Sequence, residues 1–207
     1  MRRIDLNEAA NFLREHDRFL ILMHGSPDGD TVGCGTALCG ALQQIGKLAR
    51  TACPDPLPKK FGYMFRELKE QEFEPETIVA VDVADTKLLY GMREVGEKTQ
   101  LCIDHHVSNT EYAERLLLAP EYAAAAELMF ELLSSMKEVR ITSSIADSLY
   151  TGIATDSGCF KYSNTSPQTH VYAAELIKLG ADIVPINYAM FDMKSPVSYT
   201  HLRDHET

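Results

Sequence analysis

An α/β fold, with a mostly parallel β-sheet and helices on both faces, is what this sequence predicts. Short unbroken apolar runs alternate with stretches of small and apolar residues at helical spacing. Strands buried on both faces read as continuous apolar runs, and their alternation with helices marks a parallel sheet. At 207 residues the chain is long enough for one sizeable core.

The elements follow in order. "RFLILMH" (18–24) is a short apolar run with the character of a doubly buried strand. "TVGCGTALCGALQQIGKL" (31–48) has helical spacing, with Thr31 as a candidate N-cap. "ARTACP" (49–54) fills a weaker strand slot, and "TIVAVDVA" (77–84) and "TQLCIDHH" (99–106) are two further buried strands. The later chain is mostly helical. "YAAAAELMFELLSSM" (122–136) is rich in good helix formers. "SSIADSLYTGIATDSG" (143–158) starts at a serine cap, and "SPQTHVYAAELIKLG" (166–180) stops at Gly180. "ADIVPINYAMFDMK" (181–194) carries Pro185 in its first turn. Residues 195–207, "SPVSYTHLRDHET", have no periodicity and are expected to lie outside the native domain of residues 1–194.

Composition excludes several classes. No apolar run approaches the roughly 20 residues of a membrane helix. The charged N-terminus "MRRIDLNEAANFLREHDR" lacks the apolar stretch of a signal peptide, so a cytoplasmic location is expected. Five scattered cysteines without a C-x-x-C pair read as reduced thiols. A net charge of −10 argues against a long nucleic-acid footprint. It leaves room for a phosphate substrate, because carboxylates can hold divalent cations that attract phosphate.

Three of the four predicted strands share one property: they run into acidic and imidazole side chains. "RFLILMH" leads into "HGSPDGD", with His24, Asp28 and Asp30; "TIVAVDVA" carries Asp82; "TQLCIDHH" closes on Asp104, His105 and His106. Asp156, in "GIATDSGCF", adds another carboxylate near a helix end. A lone Asp there more often caps a helix or forms a turn. Several converging on the carboxyl edge of a parallel sheet, where ligands bind, are harder to explain that way. Like charges so close raise one another's pKa values unless positive charge lies between them. Two divalent cations would supply it. An oxygen-rich set with imidazoles and no thiolate suits Mn²⁺, with Mg²⁺ as the alternative, and paired cations are a common apparatus for phosphate-ester hydrolysis.

"HGSPDGD", the Asp in "VAVDVAD", "DHH" in "CIDHHVSN" and "TDSGCFKYSNTSP" stand in the order and rough spacing of the four motifs of the DHH phosphoesterase superfamily. Over residues 1–194 the chain most resembles its bifunctional oligoribonuclease and pAp phosphatase group. The resemblance implies that His24 and Asp28 hold one cation, that Asp30, His105 and Asp156 hold a second, and that Asp82 bridges both. His106 would face the scissile phosphate, Asp104 would orient a ligating histidine, and Gly29 would give the backbone freedom to aim its flanking carboxylates. The implied substrates are short RNA oligonucleotides, degraded 3′ to 5′, and adenosine 3′,5′-bisphosphate. Members of the group are often homodimers, although no interface is legible here. Two departures stand out. Cys34 replaces a common serine, for which a packing change alone is expected, and "AAAA" before Glu127 replaces a Ser or Thr, which would alter local hydrogen bonding. The resemblance also implies a second, smaller domain that clamps the nucleotide. No segment here reads as that C-terminal substrate-binding domain, so it is expected to be missing. Manganese pyrophosphatases and cyclic-dinucleotide phosphodiesterases of the same superfamily remain alternatives, as does a metal-binding fragment with little turnover. The P-D-G-D turn and the S-N-T run after "DHH" favour the nucleotide group. His201 and His205 have the spacing of a helical metal pair but lack its glutamate.

Overall fold

The computed structural model describes residues 1–193. Six parallel strands form one sheet: β1 (Arg2–Arg3), β2 (Phe19–Leu22), β3 (Ala49–Ala52), β4 (Thr77–Val81), β5 (Leu101–Asp104) and β6 (Arg115–Leu118), in the order β1-β6-β5-β4-β2-β3. The chain leaves β2 for β3 on one side, while β4 lies on the other. Connections therefore diverge between β2 and β4, the position at which open α/β sheets form a binding crevice.

Because side chains alternate along a strand, each buried run feeds two cores. Phe19, Ile21, Val79, Val81, Leu101 and Ile103 enter the larger one. It is completed by α1 (Leu6–Glu15), α2 (Gly29–Gln44), α4 (Ala125–Ser135), α5 (Ser143–Asp156) and α6 (Pro167–Lys178). Leu20, Leu22, Ala80 and Cys102 face the smaller core with Leu89, Met92 and Val95. That face is covered by a 3₁₀ turn at Thr86–Met92 and by α3 (Arg93–Gly96), not by long helices.

Helices α2 and α5 approach closely because glycines line their contact. A Cβ on Gly33 would stand 2.3 Å from the Ser148 carbonyl oxygen, and one on Gly152 would stand 2.6 Å from both Ala126 Cβ and Asp30 Oδ1. Such distances are inside van der Waals contact, so these positions exclude a side chain.

Several element boundaries depart from the sequence reading. Helix α2 begins at Gly29 rather than Thr31, because Asp28 is the N-cap: its Oδ1 accepts from the N–H groups of Asp30 (3.0 Å) and Thr31 (3.1 Å). Helix α5 is capped by Thr142, whose hydroxyl accepts from Ile145 N–H, and not by a serine. The expected helix over 181–194 is α7 (Ile183–Asn187) followed by a π-turn at Tyr188–Asp192. β1, β6 and α1 are additional elements. Helix α1 forms on a capping box between Asp5 and Glu8 and buries Ala9, Ala10, Phe12 and Leu13. Residues 195–207, including His201 and His205, lie outside the described residues.

Candidate metal centre

The carboxyl ends of β5, β4 and β2 stand side by side and bring the flagged residues together. Asp82 directly follows β4, Asp104 closes β5 with His105 and His106 after it, and His24 lies two residues past β2. Asp28 and Asp30 open α2, while Asp156 is the last residue of α5.

Four hydrogen bonds fix this edge. The Thr31 hydroxyl donates to the Val81 carbonyl (3.1 Å) and accepts from His24 N–H (3.3 Å), tying the ends of β2 and β4 together. His24 Nδ1–H donates to its neighbour, the Gly25 carbonyl (2.8 Å). His105 Nδ1–H donates to the Tyr122 carbonyl (3.2 Å). Both rings thereby turn Nε2 inward, the arrangement that prepares an imidazole to ligate a metal.

Two groups of three result. In the first, His24 Nε2 lies 3.7 Å from Asp28 Oδ2 and 3.6 Å from Asp82 Oδ2. In the second, His105 Nε2 lies 3.4 Å from Asp156 Oδ2 and 3.9 Å from Asp30 Oδ2. Asp82 Oδ1 lies 3.6 Å from the same His105 atom, so this carboxylate faces both groups. All but the 3.4 Å contact are too long for hydrogen bonds. Donors about 2.1–2.2 Å from a shared cation are spaced in this way. Asp82 Oδ1 and His105 Nε2 are also buried without a hydrogen-bond partner among the described residues. Buried polar atoms rarely go unpaired. The donor set therefore fits divalent cations with oxygen and imidazole ligation. Asp82 is also held at φ +57°, a left-handed conformation costly for most residues but tolerated by aspartate.

Without cations the carboxylates frustrate one another. Burial, with Asp82 and Asp28 nearby, raises the pKa of Asp30 well above the carboxylate range. Burial, reinforced by Asp30 and Asp28, lifts Asp156 to about 8, and burial is also the main force lifting Asp82 to about 7. Burial opposes charge on His24, but Asp28 and Asp82 outweigh it and raise its pKa to about 11.

His106 belongs to a third cluster, with Asp82 and His105. Its Nδ1, 3.5 Å from Asp82 Oδ1, is already engaged with Asp104 Oδ1 at 2.8 Å. That bond raises the His106 pKa to about 9, against the effect of burial. The ring is 40% exposed, so its other nitrogen is available to a ligand. Asp104 thus orients His106; the ligating candidate His105 is oriented by Tyr122 O instead.

Other expectations change on contact with the structure. Gly29 lies in ordinary helical backbone, and its lack of a side chain serves close approach: a Cβ would stand 2.4 Å from Thr155 Oγ1. Cys34 does more than pack, since its thiol donates to Asp30 Oδ1 at 3.5 Å. The alanine run has a specific outcome. Ala124 is an N-cap without a side-chain acceptor, and the Ala125 and Ala126 N–H groups donate instead to Asp30 Oδ2 (2.6 Å) and Oδ1 (2.9 Å). The part Thr31 and Gly152 play at the site escaped the sequence reading. A hydroxyl beside an acidic pair looks like a helix cap, and a helical glycine looks incidental until a partner carboxylate is seen against it.

A family model for the DHH family, N-terminal domain, matches residues 18–153. The chain belongs to the DHH family. Among curated relatives it is 32% identical over 171 residues to the bifunctional oligoribonuclease and PAP phosphatase NrnA of Thermus thermophilus, covering 80% of this chain and 51% of that protein. It is 31% identical over 191 residues to the protein of the same description from Mycoplasma genitalium, covering 88% and 60%. This DHH chain therefore spans about half to three-fifths of the length of these relatives. Its fold is also that of an exopolyphosphatase-related protein from Bacteroides fragilis, with a TM-score of 0.83 at 22% identity over 97% of this chain and 63% of the other. A putative family II inorganic pyrophosphatase from Methanococcus jannaschii aligns with a TM-score of 0.60 at 19% identity, over 83% and 59%.

Proposed function

We propose that this DHH chain hydrolyses phosphate esters in short oligoribonucleotides and in adenosine 3′,5′-bisphosphate, using two divalent cations, Mn²⁺ or Mg²⁺. One observation carries the reading: two groups of carboxylate and imidazole donors meet at Asp82, where two buried candidate ligand atoms have no hydrogen-bond partner among the described residues. The substrate class is supported by the relatives named bifunctional oligoribonuclease and PAP phosphatase.

His24, Asp28 and Asp82 would hold one cation, and Asp30, His105 and Asp156, with Asp82 shared, the other. Such cations supply Lewis acidity toward phosphoryl oxygens and a water activated at neutral pH. The chain's own residues supply position and protons. His24 and His105 present Nε2 because their Nδ1–H groups are committed to main-chain carbonyls. His106 keeps its proton on Nδ1 toward Asp104, so a protonated ring can offer Nε2–H to the phosphate or to the departing oxygen.

The test is hydrolysis of adenosine 3′,5′-bisphosphate and of a short RNA, with Mn²⁺ and with chelator. Cation-dependent release of phosphate or mononucleotide is expected. No turnover with two cations bound removes the activity from this chain but keeps the centre; no turnover and no binding removes both.

A further inference from the structure

The residues behind His106 form a second layer that the cations would not touch. Asp104 is fully buried, and its two oxygens divide their partners. Oδ1 accepts from His106 Nδ1–H (2.8 Å) and from the backbone N–H groups of His105 (2.8 Å) and His106 (3.3 Å). Oδ2 accepts from one side chain, the amide of Asn109, at 2.6 Å.

Asn109 is itself locked. Its Oδ1 accepts from Glu111 N–H (2.7 Å), and its own N–H donates to the His106 carbonyl (3.1 Å). Its amide nitrogen also lies 3.4 Å from the Val83 carbonyl, just past Asp82. Tyr112 pins the same spot, donating to Val83 O at 3.1 Å. The loop after "DHH" is thereby latched to the loop after Asp82, with Asn109 at the junction.

A buried carboxylate with an unpartnered oxygen is costly and free to rotate for a new donor. Rotation of Asp104 would release the His106 ring. We infer that Asn109 is a positioning residue that fixes the direction and tautomer of His106 through Asp104. This inference rests on the reading that His106 serves the substrate. Asparagine suits the role because it donates without charge. An aspartate at the same place would set two carboxylates about 2.6 Å apart with no hydrogen between them.

The test uses the Mg²⁺-loaded chain with ¹⁵N-labelled histidine. The Nδ1–H signal of His106 is assigned by its absence in His106→Ala. Asn109→Ala should lose this signal to solvent exchange, with the signals of His24 and His105 and the bound-cation count unchanged. Asn109→Leu, which keeps the size of the residue but has no donor, carries the same test if the alanine variant does not fold. Persistence of the His106 signal in a folded Asn109 variant overturns the inference. A double-mutant cycle then separates this claim from the one beneath it. With adenosine 3′,5′-bisphosphate and Mn²⁺, Asn109→Ala should lower kcat by about 10–100-fold with KM unchanged, as expected for a weakened acid–base group. It should not slow His106→Ala further. Equal slowing in both backgrounds overturns the inference. A His106→Ala variant as fast as wild type overturns the reading of His106 itself.

Discussion

Asp82 is where the two candidate cation-binding groups meet, and its left-handed backbone aims one carboxylate oxygen at each histidine. Asp82→Ala is therefore expected to abolish hydrolysis and to lower the bound Mn²⁺ count, measured by elemental analysis after gel filtration. Retention of both cations with wild-type turnover would sink the shared-ligand assignment. His106→Ala should separate from it, keeping cation content while kcat falls by about 10²–10⁴-fold. The eight charged positions were legible in the sequence because strand ends in a parallel sheet converge by topology. Their wiring was not. Whether Asp104 orients His105 or His106 depends on which ring nitrogen meets a carbonyl 17 residues away, at Tyr122.

Helix α4 lends its first amides to a residue of α2. Ala125 and Ala126 N–H hold Asp30, while Ala124, extended at φ −150° and ψ 150°, offers no cap of its own. With Glu127 at the third position, Ala124→Ser would complete a capping box, and a gain of about 0.5–2 kcal/mol is expected in urea unfolding. An unchanged midpoint would mean that Asp30 already saturates the helix start. Gly152→Ala should act in the opposite sense. Its Cβ would push against Asp30 Oδ1 and Ala126, costing about 1–3 kcal/mol and weakening Mn²⁺ binding together. Calorimetric titration of the folded variant with unaltered affinity would contradict this. The long helices and four of the strands were readable from apolar runs. β6 ("RLLL") and the two-residue β1 were not, since four residues or fewer carry too little pattern to distinguish strand from loop. Helix α1 was missed because its charged residues dominate the segment, although its apolar residues form one stripe.

The protein as a whole should feel its cation-free centre as a pH-dependent strain. Folded, Asp82 and Asp156 keep protons up to about pH 7 and 8; unfolded, they release them near about 3.9. Between these limits the folded state binds more protons, so its stability falls as pH rises. The raised His24 pKa acts in the same direction above about 6.5, because the folded state keeps that proton to about 11. Chelated protein is thus expected to melt at a lower temperature at pH 8 than at pH 6, with Mn²⁺ removing most of the difference. A flat or rising profile without metal would rule out the protonated carboxylates. The same proton holding implies that Mn²⁺ binding releases protons and tightens with pH, which titration in buffers of different ionisation enthalpy measures.

The grip of α4 on Asp30 has a further consequence. The carboxylate proposed to face a cation is fastened by two main-chain amide protons, so those protons would be built-in reporters. Deuterium exchange at Ala125 and Ala126 should slow when the centre is loaded and quicken when it is stripped, ahead of any change in the distant strands of the sheet. Occupancy could then be followed from the peptide backbone alone, with no substrate present.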